Sequence, residues 1–225
     1  MIGEILPATV AFAEAFADPP DVALFPEEEA LLVRVVEKRR REFGTARHCA
    51  RTAFAVLGVP PAPILPGEAG APQWPPGIVG SMTHCAGYRA AVVARDRDVL
   101  TVGIDAEPDQ SLTGEVLALV SRPAERDRVA DLASADPGVC WDRLLFSAKE
   151  SVYKAWFPLA RRWLGFEDAD ITINPEDGTF DARLLVPAPM VGGTALAGFA
   201  GRWLARDGLI LTAITVPGAP GAPLA

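Results

Sequence analysis

The chain has 225 residues, half of them hydrophobic, with 21 basic and 29 acidic side chains and a formal net charge of −8. That length suits one large domain or two small ones with ample material for a core. The acidic balance disfavours general binding to nucleic acid or to an anionic membrane surface, and without a run of about 18 apolar residues no transmembrane helix is expected. Met1-Ile-Gly-Glu lacks a basic segment backed by a long apolar stretch, so no signal peptide is expected. Three scattered cysteines (Cys49, Cys85, Cys140), no Cys-x-x-Cys and only two histidines argue against a disulfide framework or a structural zinc site. The simplest reading is a reduced, cytoplasmic protein.

Residues 26–43 read as a helix: Pro26 suits the first position, Glu27 to Glu29 the positive end of the dipole, and Lys38 to Arg41 the other end. Gly44 is expected to stop it, and Thr45 to cap a second helix through about Leu57, closed by Gly58. Pro60 to Pro76 is a long ordered loop by composition. Short strands follow at Ile78–Met82, Arg89–Ala94 and Val99–Ile104, the last two read as a hairpin across Arg95 to Asp98. Helices are expected over 114–133 and 139–157, the second ending or kinking before Pro158. Strands are expected at Asp170–Asn174, Thr179–Leu185, Leu196–Ala205 and Leu209–Val216, before a disordered tail, PGAPGAPLA, at 217–225. VVARDRDVLTVGI (92–104) is echoed by RWLARDGLILTAI (202–214). Either two hairpins agree by chance, or the chain holds two pseudo-equivalent halves, 1–108 and 109–216, with a site between them.

Chemistry concentrates in a few places. Asp105 and Glu107, two apart on a strand, share a face; the pair suits Mg²⁺, although a solvated strand end running into Pro108 has the same pattern. The expected helix at 139–157 carries an apolar stripe (Leu144, Leu145, Ala148, Val152, Ala155, Trp156) and, opposite it, Glu150 and Lys154 among Phe146, Tyr153 and Phe157. A surface i,i+4 ion pair needs no such aromatic setting, so this second face is read as lining a cleft, where a carboxylate completes a metal site or acts as general base. His84, in Gly80-Ser81-Met82-Thr83-His84, is either structural or part of a site whose small neighbours admit a ligand. Lys38, Arg39, Arg40, Arg41, Arg47, His48 and Arg51 crowd into one stretch, a solvated helix end or a phosphate grip. No Walker or Rossmann glycine loop is present.

Gly-Ile-Asp-x-Glu, then Phe-Ser-x-Lys-Glu-Ser-x-x-Lys some forty residues on, preceded by Gly-Ser-x-Thr-His, resembles the Sfp/EntD-type 4′-phosphopantetheinyl transferases. RRREFGTARHCAR (39–51), GSMTHCAGYRAAVV (80–93), VGIDAEP (102–108) and FSAKESVYKAWFPLARRWLGFEDA (146–169) are similar to the actinobacterial branch, and the likeness spans about 26–216. The resemblance implies an α/β (α+β) fold of two pseudo-symmetric halves, each a small, mainly antiparallel sheet packed with helices. It also implies transfer of the phosphopantetheine arm of coenzyme A to a serine of an apo acyl or peptidyl carrier protein, releasing adenosine 3′,5′-bisphosphate. The carriers would serve fatty acid, polyketide or non-ribosomal peptide synthesis, siderophores included, and the enzyme would be a monomer. By motif match, Asp105, Glu107, Glu150 and the Ala106 carbonyl would hold Mg²⁺, or alternatively Mn²⁺. Glu150 would take the serine proton and Lys154 would neutralise phosphate charge. Arg39, Arg47 and His84, with Thr83 beside it, would hold the 3′-phosphate. Gly70, Ala71 and Pro72 would lie along the adenosine, and Leu164 would border the pantetheine channel. The likeness departs at Ala69, where relatives of this branch often carry a lysine. Two other classes remain open on these residues: a Mg²⁺-dependent nucleotide phosphohydrolase, and a non-catalytic coenzyme A binding protein.

Overall fold

Strands whose side chains alternate strictly between two apolar layers build the centre of the molecule. The structure, a computed structural model, describes residues 1–218. Strand β1 (Ala11–Ala15) is followed by α1 (Pro26–Ala30), α2 (Glu37–Val56), β2 (Ile78–Cys85), β3 (Tyr88–Arg95) and β4 (Val99–Pro108). Then come α3 (Gly114–Val120), α4 (Pro123–Ala135), α5 (Trp141–Ala160), β5 (Ala169–Asn174), β6 (Thr179–Leu184), β7 (Met190–Val191), β8 (Thr194–Ala195), β9 (Gly198–Arg206) and β10 (Leu209–Pro217). Within these residues β1-β3-β2 forms one sheet, β4-β10-β9-β6-β5 a second, and β7-β8 a small ribbon, with every pairing antiparallel. The fold is therefore mixed α/β, with antiparallel sheets packed by helices.

Four layers follow from the two-residue period. Ala91 and Val93 of β3 face Cys49, Ala50, Ala53 and Phe54 of α2. Their neighbours Ala90, Val92 and Ala94 face Val102, Ile104 and Ala106 of β4 and Leu211 and Ala213 of β10, so the two sheets share a core. On the far side of the second sheet, Ile210 and Ile214 meet the Leu144, Ala148, Val152, Ala155 and Trp156 stripe of α5. Fully burying a large aliphatic or aromatic side chain contributes about 1.5–3 kcal/mol.

Several expectations change here. The 92–104 hairpin does not form: β3 lies between β1 and β2, while β4 pairs with β10 in the other sheet. The reason is the turn. Asp207 and Gly208 both adopt positive φ, 54° and 75°, as a two-residue hairpin requires, whereas no positive φ occurs between Arg95 and Val99. Gly44 does not stop a helix. It is buried inside α2, where an added methyl group would meet Val22 at ordinary contact distance, and the Thr45 hydroxyl donates back to the Arg41 carbonyl instead of capping. The break falls earlier, at Leu31 to Val36, where β-branched Val33, Val35 and Val36 weaken helix formation. The expected 114–133 helix is split at Ser121-Arg122, because Pro123 starts α4 afresh. Pro158 lies inside α5, whose last turn runs on to Ala160 and closes on Arg161 at φ 50°; so near the end proline forfeits little of the hydrogen-bond ladder. β1, an Ala-rich segment without β-branched residues, takes its strand state from pairing with β3. Of the expected tail, Pro217 ends β10, and residues 219–225 lie outside the described residues.

A second echo appears in buried charge. Glu28, third in α1 after Pro26, accepts from the Phe25 and Ile64 N–H groups and pairs with Arg51 at 3.1 Å. Glu125, third in α4 after Pro123, accepts from the Arg122 and Ile171 N–H groups and pairs with Lys149 at 2.8 Å. Each carboxylate is fully enclosed and fully partnered, and each ties a short helix to the long helix after it.

Gly103 sets how closely α5 approaches β4. A methyl group there would lie 2.1 Å from the Ser151 carbonyl oxygen and 2.7 Å from Ala155 N. Gly103→Ala should therefore destabilise by about 2–3 kcal/mol, lowering the thermal midpoint by roughly 5–10 °C. Gly114→Ala, into open space, should not change it; equal midpoints for both variants would refute the close-packing account.

Candidate active site

α5 lies along β4 with the helix running against the strand direction. Arg143 reaches Glu107 (Nη1 to Oε2, 3.0 Å), Ser151 and Ala155 straddle Gly103, and the Thr101 hydroxyl donates to the Ala155 carbonyl at 2.9 Å. Ser147 meets Thr212 of β10 at 3.0 Å. Positions 143, 147, 150 and 154 repeat at three- and four-residue steps, so Glu150 and Lys154 share the face that looks onto the acids of β4. The Lys154 ammonium donates to Asp105 Oδ1 at 2.7 Å and to the Ile104 carbonyl at 3.0 Å.

β2 meets the free edge of β4 through side chains. The Ser81 hydroxyl accepts from the Ile104 N–H (3.1 Å) and the Thr83 hydroxyl from the Ala106 N–H (3.0 Å). Thr83 in turn donates to Asp105 Oδ1 at 3.2 Å. This accounts for the small polar residues before His84, and it places Thr83 on the Asp105 carboxylate.

The acids are under electrostatic load. Burial and then Asp105 push both Glu107 and Glu150 above the ordinary carboxylate range, opposed by Arg143 and Lys154 at Glu107 and by Lys154 at Glu150. Burial, then Glu107 and Asp105, push the Cys85 thiol up to about 12. Asp105 is 5% exposed, and its Oδ2 is buried with no hydrogen-bond partner among the described residues. An orphaned carboxylate oxygen amid mutually repelling acids is the donor chemistry a hard divalent cation takes. Among the described residues no three such side chains already stand at ligand spacing, so the acids suit an ion in charge and donor type without forming a finished cage. Ala106 sits on the strand edge where Ile104 meets Lys154.

The basic residues divide by partner. Arg40 pairs with Glu29, Arg41 with Glu37 and Arg51 with Glu28. Arg39 instead donates to His84 Nε2 at 2.6 Å, with no carboxylate partner among the described residues. Surrounding protein and then the Arg39 charge hold His84 below the usual histidine range. That leaves a cationic arm beside an imidazole whose charged form is disfavoured, on the strand next to the acids. Arg47 is placed differently. It is 7% exposed, its Nε donates to the Ile64 carbonyl at 3.0 Å, and its guanidinium lies 3.1 Å over the Phe43 ring; burial holds it down to about 10. Its visible work is anchoring the 60–76 loop. In that loop Gly67 and Ala71 close a tight turn (2.7 Å), Ala69 and Gly70 take φ of 51° and 78°, and Pro66 bridges to Pro72.

Leu164 is buried and lines a cavity of about 110 Å³ with Glu150, Tyr153, Trp163 and Phe166. The Tyr153 and Trp163 rings lie tilted at 55° with centroids 5.0 Å apart, Phe146 lies 5.9 Å from Phe166, and Phe157 is enclosed. The aromatics of the second helix face thus pack the 163–169 segment beside Glu150. Sequence reasoning missed Arg143, although its place seven residues before Glu150 was a signal. It also left Lys149 unread: that ammonium is spent on Glu125 and on the Phe166 and Ala169 carbonyls.

Comparison with known proteins places the chain in a family. A profile of the 4′-phosphopantetheinyl transferase N-terminal domain matches residues 27–94, and one of the 4′-phosphopantetheinyl transferase superfamily matches residues 101–189. The chain is 55% identical to the 4′-phosphopantetheinyl transferase Svp of Streptomyces mobaraensis, over 98% of this chain and 91% of that protein. It is 52% identical to the 4′-phosphopantetheinyl transferase PptT of Mycobacterium tuberculosis, over 96% and 98%. It is 54% identical to the 4′-phosphopantetheinyl transferase Npt of Nocardia iowensis, over 95% and 99%. With both profiles and near-complete alignments in agreement, the chain belongs to the 4′-phosphopantetheinyl transferase family.

Proposed function

We propose that this enzyme joins the serine hydroxyl of an apo acyl or peptidyl carrier protein to the pantetheine-side phosphorus of coenzyme A. The P–O bond to the adenosine-side phosphate breaks, and adenosine 3′,5′-bisphosphate leaves. The observation that carries this reading is the convergence of Asp105, Glu107, Glu150 and Lys154 where α5 crosses β4, one strand from the Arg39–His84 pair.

Asp105 through its unpartnered Oδ2, Glu107, Glu150 and the Ala106 carbonyl would hold Mg²⁺, with Mn²⁺ as a substitute. When bound, such an ion neutralises the pyrophosphate and the developing charge on the leaving group. Glu150, held above the ordinary carboxylate range, accepts the serine proton directly or through a water. Lys154 meets phosphate charge on the same helix face. Arg39 and His84 bind the 3′-phosphate. Arg47 and Thr83 act from behind, Arg47 by fixing the loop that presents Gly70, Ala71 and Pro72 to the adenosine, and Thr83 by holding Asp105. The Leu164 cavity receives the pantetheine arm. The two halves, 1–108 and 109–216, meet at this site within one chain, which supports a monomer. The described cysteines are all free thiols, as suits the cytoplasm, and no helix among the described residues is long and apolar enough to cross a membrane.

Incubation with coenzyme A, Mg²⁺ and purified apo carrier should add one phosphopantetheine mass to the carrier; nucleotide release without carrier would point to a hydrolase instead. Glu150→Gln should slow transfer by at least about 100-fold. Its effect on stability has a definite sign. Because the native pKa of Glu150 is raised, the folded state keeps a proton that the unfolded state has released, so stability falls as pH rises from about 4.5 through the native pKa. The metal-free Gln variant should therefore melt no lower than wild type at neutral pH, and any advantage should shrink toward acid pH. Arg39→Ala should raise the KM for coenzyme A by about tenfold or more. The KM for 3′-dephospho-coenzyme A should not move; a parallel rise for both substrates would rule out the 3′-phosphate assignment.

A further inference from the structure

Lys154 stands where a cation would stand. Asp105 is buried, and an enclosed carboxylate with no counter-charge is costly. Its Oδ2 has no partner among the described residues, so its balance rests on Oδ1, which takes the Lys154 ammonium at 2.7 Å and the Thr83 hydroxyl at 3.2 Å. The two donors differ in freedom. Thr83 is 5% exposed and fixed by the Ala106 N–H, whereas the Lys154 side chain is 27% exposed on a flexible four-carbon stem. Arg143, the other cation on these acids, is held at a second point, its Nε donating to the Gln110 carbonyl at 2.8 Å. Lys154 has a second bond too, to the Ile104 carbonyl at 3.0 Å. Both of its bonds leave one ammonium on a flexible stem, whereas Arg143 is forked between Glu107 and Gln110, so Lys154 is the readier of the two to move.

We propose that the Lys154 ammonium is the enzyme's own placeholder for the divalent ion, holding Asp105 in the metal-free state and leaving it for the substrate's phosphates when the ion enters. The inference rests on the reading that Asp105, Glu107 and Glu150 take a divalent cation. Two cations on one carboxylate repel strongly at a few ångströms. The ion alone must therefore displace the ammonium, whose other neighbouring carboxylates, Glu107 and Glu150, are acids that the ion takes as well. Coenzyme A provides a further anion in its pyrophosphate. Ion and coenzyme A should bind cooperatively, each tightening the other by the same factor. The ammonium also explains how the acids stay gathered without metal, since Lys154 pins Asp105 to the helix that carries Glu150.

The test is calorimetric titration of the metal-free full chain with Mn²⁺, with and without coenzyme A, using coenzyme A alone as the blank. Without coenzyme A, Lys154→Met should bind Mn²⁺ at least about tenfold more tightly than wild type. Lys154→Arg, which keeps the charge, should stay within about threefold of wild type. Saturating coenzyme A should tighten Mn²⁺ binding to wild type and narrow its gap to the Met variant. If circular dichroism shows that Lys154→Met does not fold, Lys154→Gln carries the comparison. Equal or weaker Mn²⁺ binding by the folded neutral variant, with wild type still binding Mn²⁺ alongside coenzyme A, would overturn the placeholder and leave the metal assignment standing. Failure of wild type to bind Mn²⁺ even with coenzyme A would overturn the metal assignment and the placeholder with it.

Discussion

The close seating of α5 on β4 is the constraint from which the site follows. Gly103 contributes no side chain, and helix backbone occupies the space one would fill. Thr101 and Thr212 then fix the register by bonding to the Ala155 and Ser147 carbonyls. With that register set, Arg143 falls opposite Glu107 and Lys154 opposite Asp105. A slip of one residue would rotate Glu150 by about 100° and take it off the shared face. The glycine of the Gly-Ile-Asp-x-Glu motif is thus as much part of the site's geometry as the acids beside it.

A second constraint joins the sheets. β2 and β4 do not pair as strands; the hydroxyls of Ser81 and Thr83 take the place of backbone carbonyls on the N–H groups of Ile104 and Ala106. Hydroxyls two apart on one strand match N–H groups two apart on its neighbour, because both follow the same pleat. The seam satisfies an edge that would otherwise be left open and sets His84 one strand away from Asp105 and Glu107. A single Thr83 hydroxyl therefore serves both cohesion and the placing of the Asp105 carboxylate.

Much of this was legible in the sequence where local rules govern. The apolar stripe of α5 and its second face came from helical period, and the shared face of Asp105 and Glu107 from strand period. What escaped depended on partners far along the chain. Pro26 followed by Glu27 to Glu29, and Pro123 followed by Glu125, show acidic helix starts, but not that Glu28 and Glu125 turn inward to meet Arg51 and Lys149. Arg47 sits in a basic run that suggests a phosphate grip, yet its guanidinium is engaged by the Ile64 carbonyl and the Phe43 ring. The similar turns differ in length and backbone: three residues without positive φ follow Arg95, whereas two at positive φ, Asp207 and Gly208, follow Arg206 and close the hairpin. Short-range signals identify elements and candidate residues; long-range pairing decides which of those residues meet.

β4 belongs by chain order to the first half but is completed by β10, with Glu107 opposite Ile210 and Asp105 opposite Thr212. This has a consequence for biosynthesis. While the chain emerges from the ribosome, the strand bearing the acids lacks its hydrogen-bonded neighbour until the final β-strand has been made. Contacts of such sequence separation form late, and an unpaired strand edge invites wrong partners meanwhile. The candidate site should accordingly be among the last parts of the molecule to be assembled, and an interrupted chain ending before β10 would carry every acidic motif residue without the strand that completes their setting.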